Sequence, residues 1–286
     1  MDRSFELKLN NGLYMPRLGM GTWFLGENRK TQATETEALR AGMDAGMRLI
    51  DTAEMYGSGK AEKLIGKAIQ GYDRSRLFLV SKVYPYNAGR KHIFHSLDQT
   101  LKNLGTDYLD MYLLHWRGSI PLEETVSCME QLVGEGKIRS WGVSNFDTED
   151  MEELFEIPAG KNCAVNQVLY HLGSRGVEYD LLPWLEEHNV PLMAYCPLAQ
   201  AGDLRRGLLE HSAVRQAARN HGVSEMQILL AFVLHRKNVI AIPRSGKKEH
   251  VLQNQEVWKI VLSEEEYAAL DAAFSAPCHK TALDIV

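Results

Sequence analysis

Four cysteines in 286 residues, Cys128, Cys163, Cys196 and Cys278, are too scattered for a disulfide framework, and no CxxC pair is present. They suit a reduced cytoplasm, where thiols act as small hydrophobes. Positive charge is not in excess either: 32 Lys+Arg against 37 Asp+Glu leave a formal charge of −5. Nothing in that balance points to nucleic acid or to an anionic membrane surface. No apolar run approaches the roughly 18 residues of a membrane span. Residues 1–6 alternate charged and apolar side chains and lack a signal-peptide core. No Pro/Gly/Ser-rich linker divides the chain. The dinucleotide fingerprint GxGxxG is missing, because Phe24 stands where Gly19-Met-Gly21 would need a third glycine and no helical pattern follows. The His-x-His pair of a metal-dependent barrel hydrolase is missing too, its place taken by Gly21-Thr22-Trp23. These absences leave a soluble, cytoplasmic globular protein with no metal expected.

What is present is recurrence. Short apolar runs end abruptly in polar residues at 18–22, 47–51, 77–82, 109–115, 140–145, 164–167, 191–195 and 239–244. Helical periodicity lies between most of them, as at 37–45, 61–69, 92–104 and 122–133. Thr34-x-x-Glu37, Ser224-x-x-Gln227 and Ser263-x-x-Glu266 each read as a capping box at a helix start. Strand and helix alternating about eight times over this length predict an α/β fold, a closed (β/α)₈ TIM barrel. Residues 5–17, with Asn10-Asn11-Gly12 between apolar flanks, predict an N-terminal β-hairpin ahead of it. Residues 1–286 read as one domain.

In such barrels the active site is built at the carboxyl ends of the strands. Asp51, Lys82, His115, Asn145, Gln167, Tyr195 and Arg244 each fall where a predicted strand finishes. Distant in sequence, they are expected to converge on one mouth.

Asp51-Thr-Ala-Glu-Met-Tyr56, Ser81-Lys82 and Leu114-His115-Trp116 together hold an aspartate, a tyrosine, a lysine and a histidine. This set resembles the catalytic tetrad of the aldo-keto reductases. The resemblance extends over residues 19–23, 142–146, 166–167, 194–198 and 242–245. Residues 50–56 and the terminal 280–286 look similar to bacterial methylglyoxal-reductase-like members of that family. The implied reaction is NAD(P)H-dependent reduction of aldehydes and ketones to alcohols, with methylglyoxal one candidate substrate.

The residues themselves support that chemistry. Hydride delivery to a carbonyl leaves an alkoxide-like oxygen that needs a proton. A free tyrosine, with a pKa of about 10, is a sluggish acid–base group. Lys82 is expected to lower the pKa of Tyr56, the general acid. Asp51 is expected to hold Lys82 charged. His115 is expected to orient and polarise the substrate carbonyl.

The resemblance also implies a nicotinamide dinucleotide bound without a Rossmann domain, with NADPH favoured and NADH the other cofactor the pattern admits. It places Gly21, Thr22, Trp23 and Asp51 beside the cofactor, Tyr195 as the ring that stacks on the nicotinamide, and Ser144, Asn145 and Gln167 on its carboxamide. Cys196 (where the family has serine), Pro197, Leu198 and Gln200 begin a loop reaching Ala201 and Gly202 and expected along the pyrophosphate. Arg244, Ser245, Gly246 and Lys247 precede a helical stretch and read as a phosphate site. Arg244 matches the position that contacts a 2′-phosphate. His250 stands where the family has arginine and Gln253 where it has an acid near the adenine, while Asn254 is retained.

Trp23, Tyr84 and Trp116, with Tyr56 and His115, are implied to line the substrate pocket. Little follows Pro277, so no long closing loop is expected and the site should be open. His92-x-x-His95 has metal-ligand spacing on a predicted helix, but a solvated helix face accounts for it. The competing reading in another class is a non-enzymatic, nicotinamide-binding regulatory subunit, for which the chain shows no insertion to carry an interface.

Overall fold

The computed structural model describes residues 5–200 and 203–286. The apolar runs become eight parallel strands that pair in sequence order: β3 (Gly19–Gly21), β4 (Leu49–Asp51), β5 (Phe78–Val83), β6 (Met111–Leu114), β7 (Trp141–Ser144), β8 (Asn166–Leu169), β9 (Leu192–Tyr195) and β10 (Val239–Ala241). Every one of their residues but Tyr195 is buried, as expected of a parallel sheet covered on both faces. Single bridges from Leu18 to Ala241 and from Gly21 to Arg244 join the first strand to the last. Gly21 N donates to Pro243 O at 3.1 Å. A Cβ at Gly21 would stand 2.8 Å from Ile242 O, so closure at this point needs the absence of a side chain.

The hairpin β1 (Glu6–Lys8) and β2 (Tyr14–Pro16) forms as predicted, with Leu7 opposite Met15. Its Leu9 and Met15 join the cluster inside the barrel, formed by Leu49, Val80, Met111, Leu113, Val165, Met193 and Ile240. The hairpin therefore plugs the amino-terminal end, leaving the other end for chemistry.

The helices are α1 (Gln32–Asp44), α2 (Lys60–Ala68), α3 (Ile93–Leu104), α4 (Leu122–Gly134), α5 (Thr148–Glu156), α6 (Leu181–Glu187), α7 (Asp203–Glu210), α8 (Ser212–His221), α9 (Glu225–His235), α10 (Lys248–Gln255) and α11 (Glu264–Ala273). The capping boxes at Ser224 and Ser263 form at α9 and α11. The one expected at Thr34 does not, because α1 starts two residues earlier, at Gln32. The reason is tertiary: Glu35 accepts from Gly26 N at 2.8 Å and from Thr31 Oγ1 at 2.7 Å, tying the preceding loop to the helix. His92 is the residue before α3 rather than part of it. Among the described residues no helix is long and apolar enough to cross a membrane.

Candidate active site

The strand ends converge as the barrel requires. Asp51 ends β4, Lys82 is the penultimate residue of β5, His115 follows β6 and Tyr195 ends β9. Two residues depart from this: Gln167 is the second residue of β8, which runs on to Leu169, and Arg244 stands three residues beyond the end of β10.

Lys82 is fully buried and uses all three ammonium donors: Nζ lies 2.8 Å from Asp51 Oδ2, 2.8 Å from Thr52 O and 3.3 Å from Tyr56 Oη. Its Nζ also stands 4.9 Å from the centre of the Tyr56 ring. The other Asp51 oxygen accepts from Gln167 Nε2 at 2.8 Å. Burial pushes Asp51 up and Lys82 down, and the contact between them opposes both shifts. The hydrogen bonds to Thr52 O and from Gln167 favour the charged form of each partner.

The expected lowering of the Tyr56 pKa is not found. Burial raises it well above the phenol value, and the Asp51 carboxylate raises it further. Lys82, although at hydrogen-bond distance, does not reverse this. The result is a hydroxyl that keeps its proton. Since Lys82 donates to the oxygen, the Tyr56 O–H is left to donate elsewhere.

His115 is buried beside Tyr56, ring centres 5.7 Å apart, and Nδ1 is enclosed without a hydrogen-bond partner. Burial, then the Lys82 charge, push its pKa from 6.5 to about 2. His115 is therefore neutral throughout the physiological range. A pH profile of kcat between 5 and 8 should accordingly show no inflection at the ordinary histidine value of 6.5. A limb there that His115→Gln removes would mean the imidazole titrates.

Around this centre the rings of Tyr84 and Trp116 pack edge to face at 5.1 Å, Trp116 lies 4.9 Å from His115, and Trp23 stacks on Phe24 at 4.4 Å. Phe24, 54% exposed, extends the aromatic surface to the rim, and its exposure was not foreseen.

Of the side chains expected at the carboxamide, Ser144 and Asn145 join Tyr195 in one hydrogen-bonded run that ends on the Gln167 main chain, whereas the Gln167 side chain is committed to Asp51. Tyr195 Oη donates to Asn145 Oδ1 at 2.8 Å, Asn145 Nδ2 to Ser144 Oγ at 3.2 Å, and Ser144 Oγ to Gln167 O at 2.8 Å. The Tyr195 ring is half-buried. Cys196 and Ala199 hold left-handed φ of +49° and +57° in the loop beyond. Arg205, which sequence reasoning missed, donates from its guanidinium to the carbonyls of Leu198 and Ala199 and pins that loop. Pro197 and Leu198 are buried and Gln200 is exposed, whereas Ala201 and Gly202 lie outside the described residues.

On the far side, Arg244 is exposed and spends only Nε, on Trp23 O at 3.0 Å. Ser245 Oγ accepts from Lys247 N at 3.1 Å, and α10 starts at Lys248 with no side chain capping it. Uncapped helix N–H groups beside two cations suit a phosphate. Gly246 packs toward Glu35, His250 and Gln253 are exposed, and Asn254 is buried. The donor set thus fits a dinucleotide laid from Tyr195 to α10.

Residues 17–274 match the model of the aldo/keto reductase family. The chain belongs to that family. It is 52% identical over 280 residues, 98% of each chain, to methylglyoxal reductase YeaE of Escherichia coli. It is 33% identical to glyoxal reductase of Bacillus subtilis, over 93% of this chain and 91% of that one. A crystal structure of an aldo/keto reductase from Klebsiella pneumoniae in complex with NADP and acetate superposes with a TM-score of 0.96 at 53% identity, covering 99% of this chain and 100% of that one. A second Klebsiella pneumoniae structure, in complex with NADPH, gives 0.95 at 53% identity, covering 98% and 99%.

The residues after α11 are docked against the barrel. Lys280 Nζ bridges Asp147 and Asp180, the N-caps of α5 and α6, at 2.7 Å from Asp180 Oδ2, and Asp284 accepts from Ser174. Among the described residues no three His, Cys, Asp or Glu side chains gather as metal ligands.

Proposed function

We propose that the protein reduces small aldehydes and ketones, methylglyoxal among them, with NADPH as hydride donor. The observation that carries this reading is the Tyr56 hydroxyl held 3.3 Å from a buried, Asp51-paired Lys82 and kept protonated beside a neutral His115. The carbonyl oxygen would sit between Tyr56 and His115, accepting from both. Tyr195 would hold the reduced nicotinamide, which when bound would supply the hydride. As negative charge grows on the oxygen, Tyr56 releases its proton to it, and Lys82, already at hydrogen-bond distance, stabilises the phenolate left behind. Asp51 and Gln167 keep Lys82 fixed while this happens. Trp23, Tyr84 and Trp116 exclude water from the carbonyl and hold the apolar part of the substrate.

Arg244 and Lys247, at the open start of α10, would take the phosphate of the adenosine half. Arg244 is placed to read a 2′-phosphate, and Asn254, with His250 and Gln253 on the same helix, lies where the adenine would be held. Arg244→Ala should raise the KM for NADPH about tenfold and leave that for NADH within about twofold, since a charge-assisted contact contributes on the order of 1.5–3 kcal/mol. Equal losses would mean that Arg244 does not distinguish the two cofactors.

The two names among the relatives, a methylglyoxal reductase and a glyoxal reductase, support short dicarbonyl substrates, and the NADP-bound neighbours support the phosphorylated cofactor. The test is methylglyoxal-dependent oxidation of NADPH, followed at the nicotinamide absorbance, with NADH in parallel. Turnover with NADPH supports the reading. No turnover with any carbonyl of a wide panel, with NADPH still bound, would overturn it in favour of a cofactor-binding subunit.

A further inference from the structure

Behind the loop that carries Tyr56 lies a carboxylate that the reaction does not use. Glu62, in the first turn of α2, is fully buried. Its Oε1 accepts from Ser81 Oγ at 2.9 Å and from Thr100 Oγ1 at 2.8 Å, and its Oε2 from Asn103 Nδ2 at 2.9 Å. Burial raises its pKa, and these three donors pull it back. A buried acid of this kind stabilises a fold less well than an apolar residue of similar volume, so simple packing does not account for it.

The position of its partners does. Ser81 and Lys82 are neighbours in β5 and so face opposite sides of the strand. Ser81 points outward to Glu62, and Lys82 inward to Asp51 and Tyr56. Tyr56 and α2 are joined by a turn in which Gly57, Ser58 and Gly59 all hold left-handed φ, +55°, +54° and +80°. Two of the three are glycines, which adopt this conformation freely; Ser58 does not. Ala61 N, on the first turn of α2, donates to Tyr56 O at 3.4 Å, so movement of the helix is passed to the tyrosine. The outer side of the turn borders a cleft of about 480 Å³ lined by Met55, Ser58, Gly59, Glu62 and Asn103.

We infer that Glu62 is a positioning residue for the Tyr56–Lys82 pair: through Ser81 it locks α2, and the turn carrying Tyr56, to the strand carrying Lys82. The inference rests on Tyr56 being the proton donor, as proposed above. Glu62 touches neither substrate nor cofactor and acts only by setting the separation of two groups that do.

Two substitutions separate positioning from bracing. Ser81→Ala and Thr100→Ala each remove one donor to the same Glu62 oxygen, but only Ser81 lies on the strand of Lys82. Ser81→Ala should lower kcat about tenfold with the KM for both substrates within about twofold, because a misplacement well under 1 Å is costly at a reacting centre. Thr100→Ala should lower kcat less than about twofold while lowering Tm about as much as Ser81→Ala does. Glu62→Gln, which keeps an acceptor for Ser81, should retain more kcat than Glu62→Ala. Equal kcat for Ser81→Ala and Thr100→Ala, whether both fall or neither does, would overturn the inference and leave Glu62 a brace. Tyr56→Phe assayed alongside tests the underlying assignment separately: turnover retained there would remove the proton donor itself, whatever the other two variants show.

Discussion

Tyr56→Phe is expected to lower kcat for carbonyl reduction by about 10²–10⁴, the range for loss of a positioned general acid. NADPH affinity should stay within about twofold, because only the hydroxyl is removed and Tyr56 is not among the proposed cofactor contacts. The fold should tolerate the change. Lys82 loses one acceptor at 3.3 Å and keeps Asp51 and Thr52, both at 2.8 Å. Single-turnover reduction of methylglyoxal, with cofactor binding followed by fluorescence quenching, checks both halves. A kcat within tenfold of the parent would mean that the proton reaches the carbonyl by another route. The raised pKa of Tyr56 sets the pH dependence too. The acid form is the active one for reduction, so kcat should hold across neutral pH and fall only in the alkaline range, above the ordinary phenol value of 10.

The second large effect is on stability. Lys82→Met should abolish turnover and destabilise the protein by about 3–5 kcal/mol, the cost of leaving a buried charge without its partner. Asp51 would retain Gln167 but lose its cation, with only 3% of its side chain exposed. Its pKa, already raised by burial, would rise further. A carboxyl whose folded pKa is raised costs stability progressively as pH climbs from its unfolded value to its folded one, and the full cost is present above the folded value. The deficit of Lys82→Met should therefore shrink as pH is lowered. Adding Asp51→Asn removes the charge, so the double variant should recover most of the lost stability and none of the activity. Urea midpoints at two pH values decide it. A single variant as stable as the parent would mean that the folded protein does not hold Asp51 as a carboxylate against Lys82.

Much of the site was legible along the chain because each strand of a barrel ends at the same mouth. Asp51, Lys82, His115 and Tyr195 could be grouped without contact information, since an apolar run that breaks off in a polar residue marks both the strand and its rim. Gln167 was misplaced by the same rule: β8 continues through Val168 and Leu169, both buried, so the polar residue is not the end. Thr34 was misread because capping boxes are local, whereas the start of α1 is set by Glu35 reaching Gly26.

The electrostatics were not legible. Lys82 beside Tyr56 suggested a depressed phenol, but the net field depends on Asp51, 31 positions away from Lys82, and on how much water reaches the ring. Nor could Glu62 or Arg205 be picked out, since each is an ordinary charged residue of an amphipathic helix until its partners are known. By itself the sequence determined the alternation of strand and helix, the hairpin and the chemical kinds of side chain at the mouth, because periodicity and capping act over a few residues. Only the tertiary structure decided which protons stay bound, which side chains are already committed to one another and what holds the Tyr56 loop to β5. Those depend on desolvation and on hydrogen bonds between elements far apart in the chain.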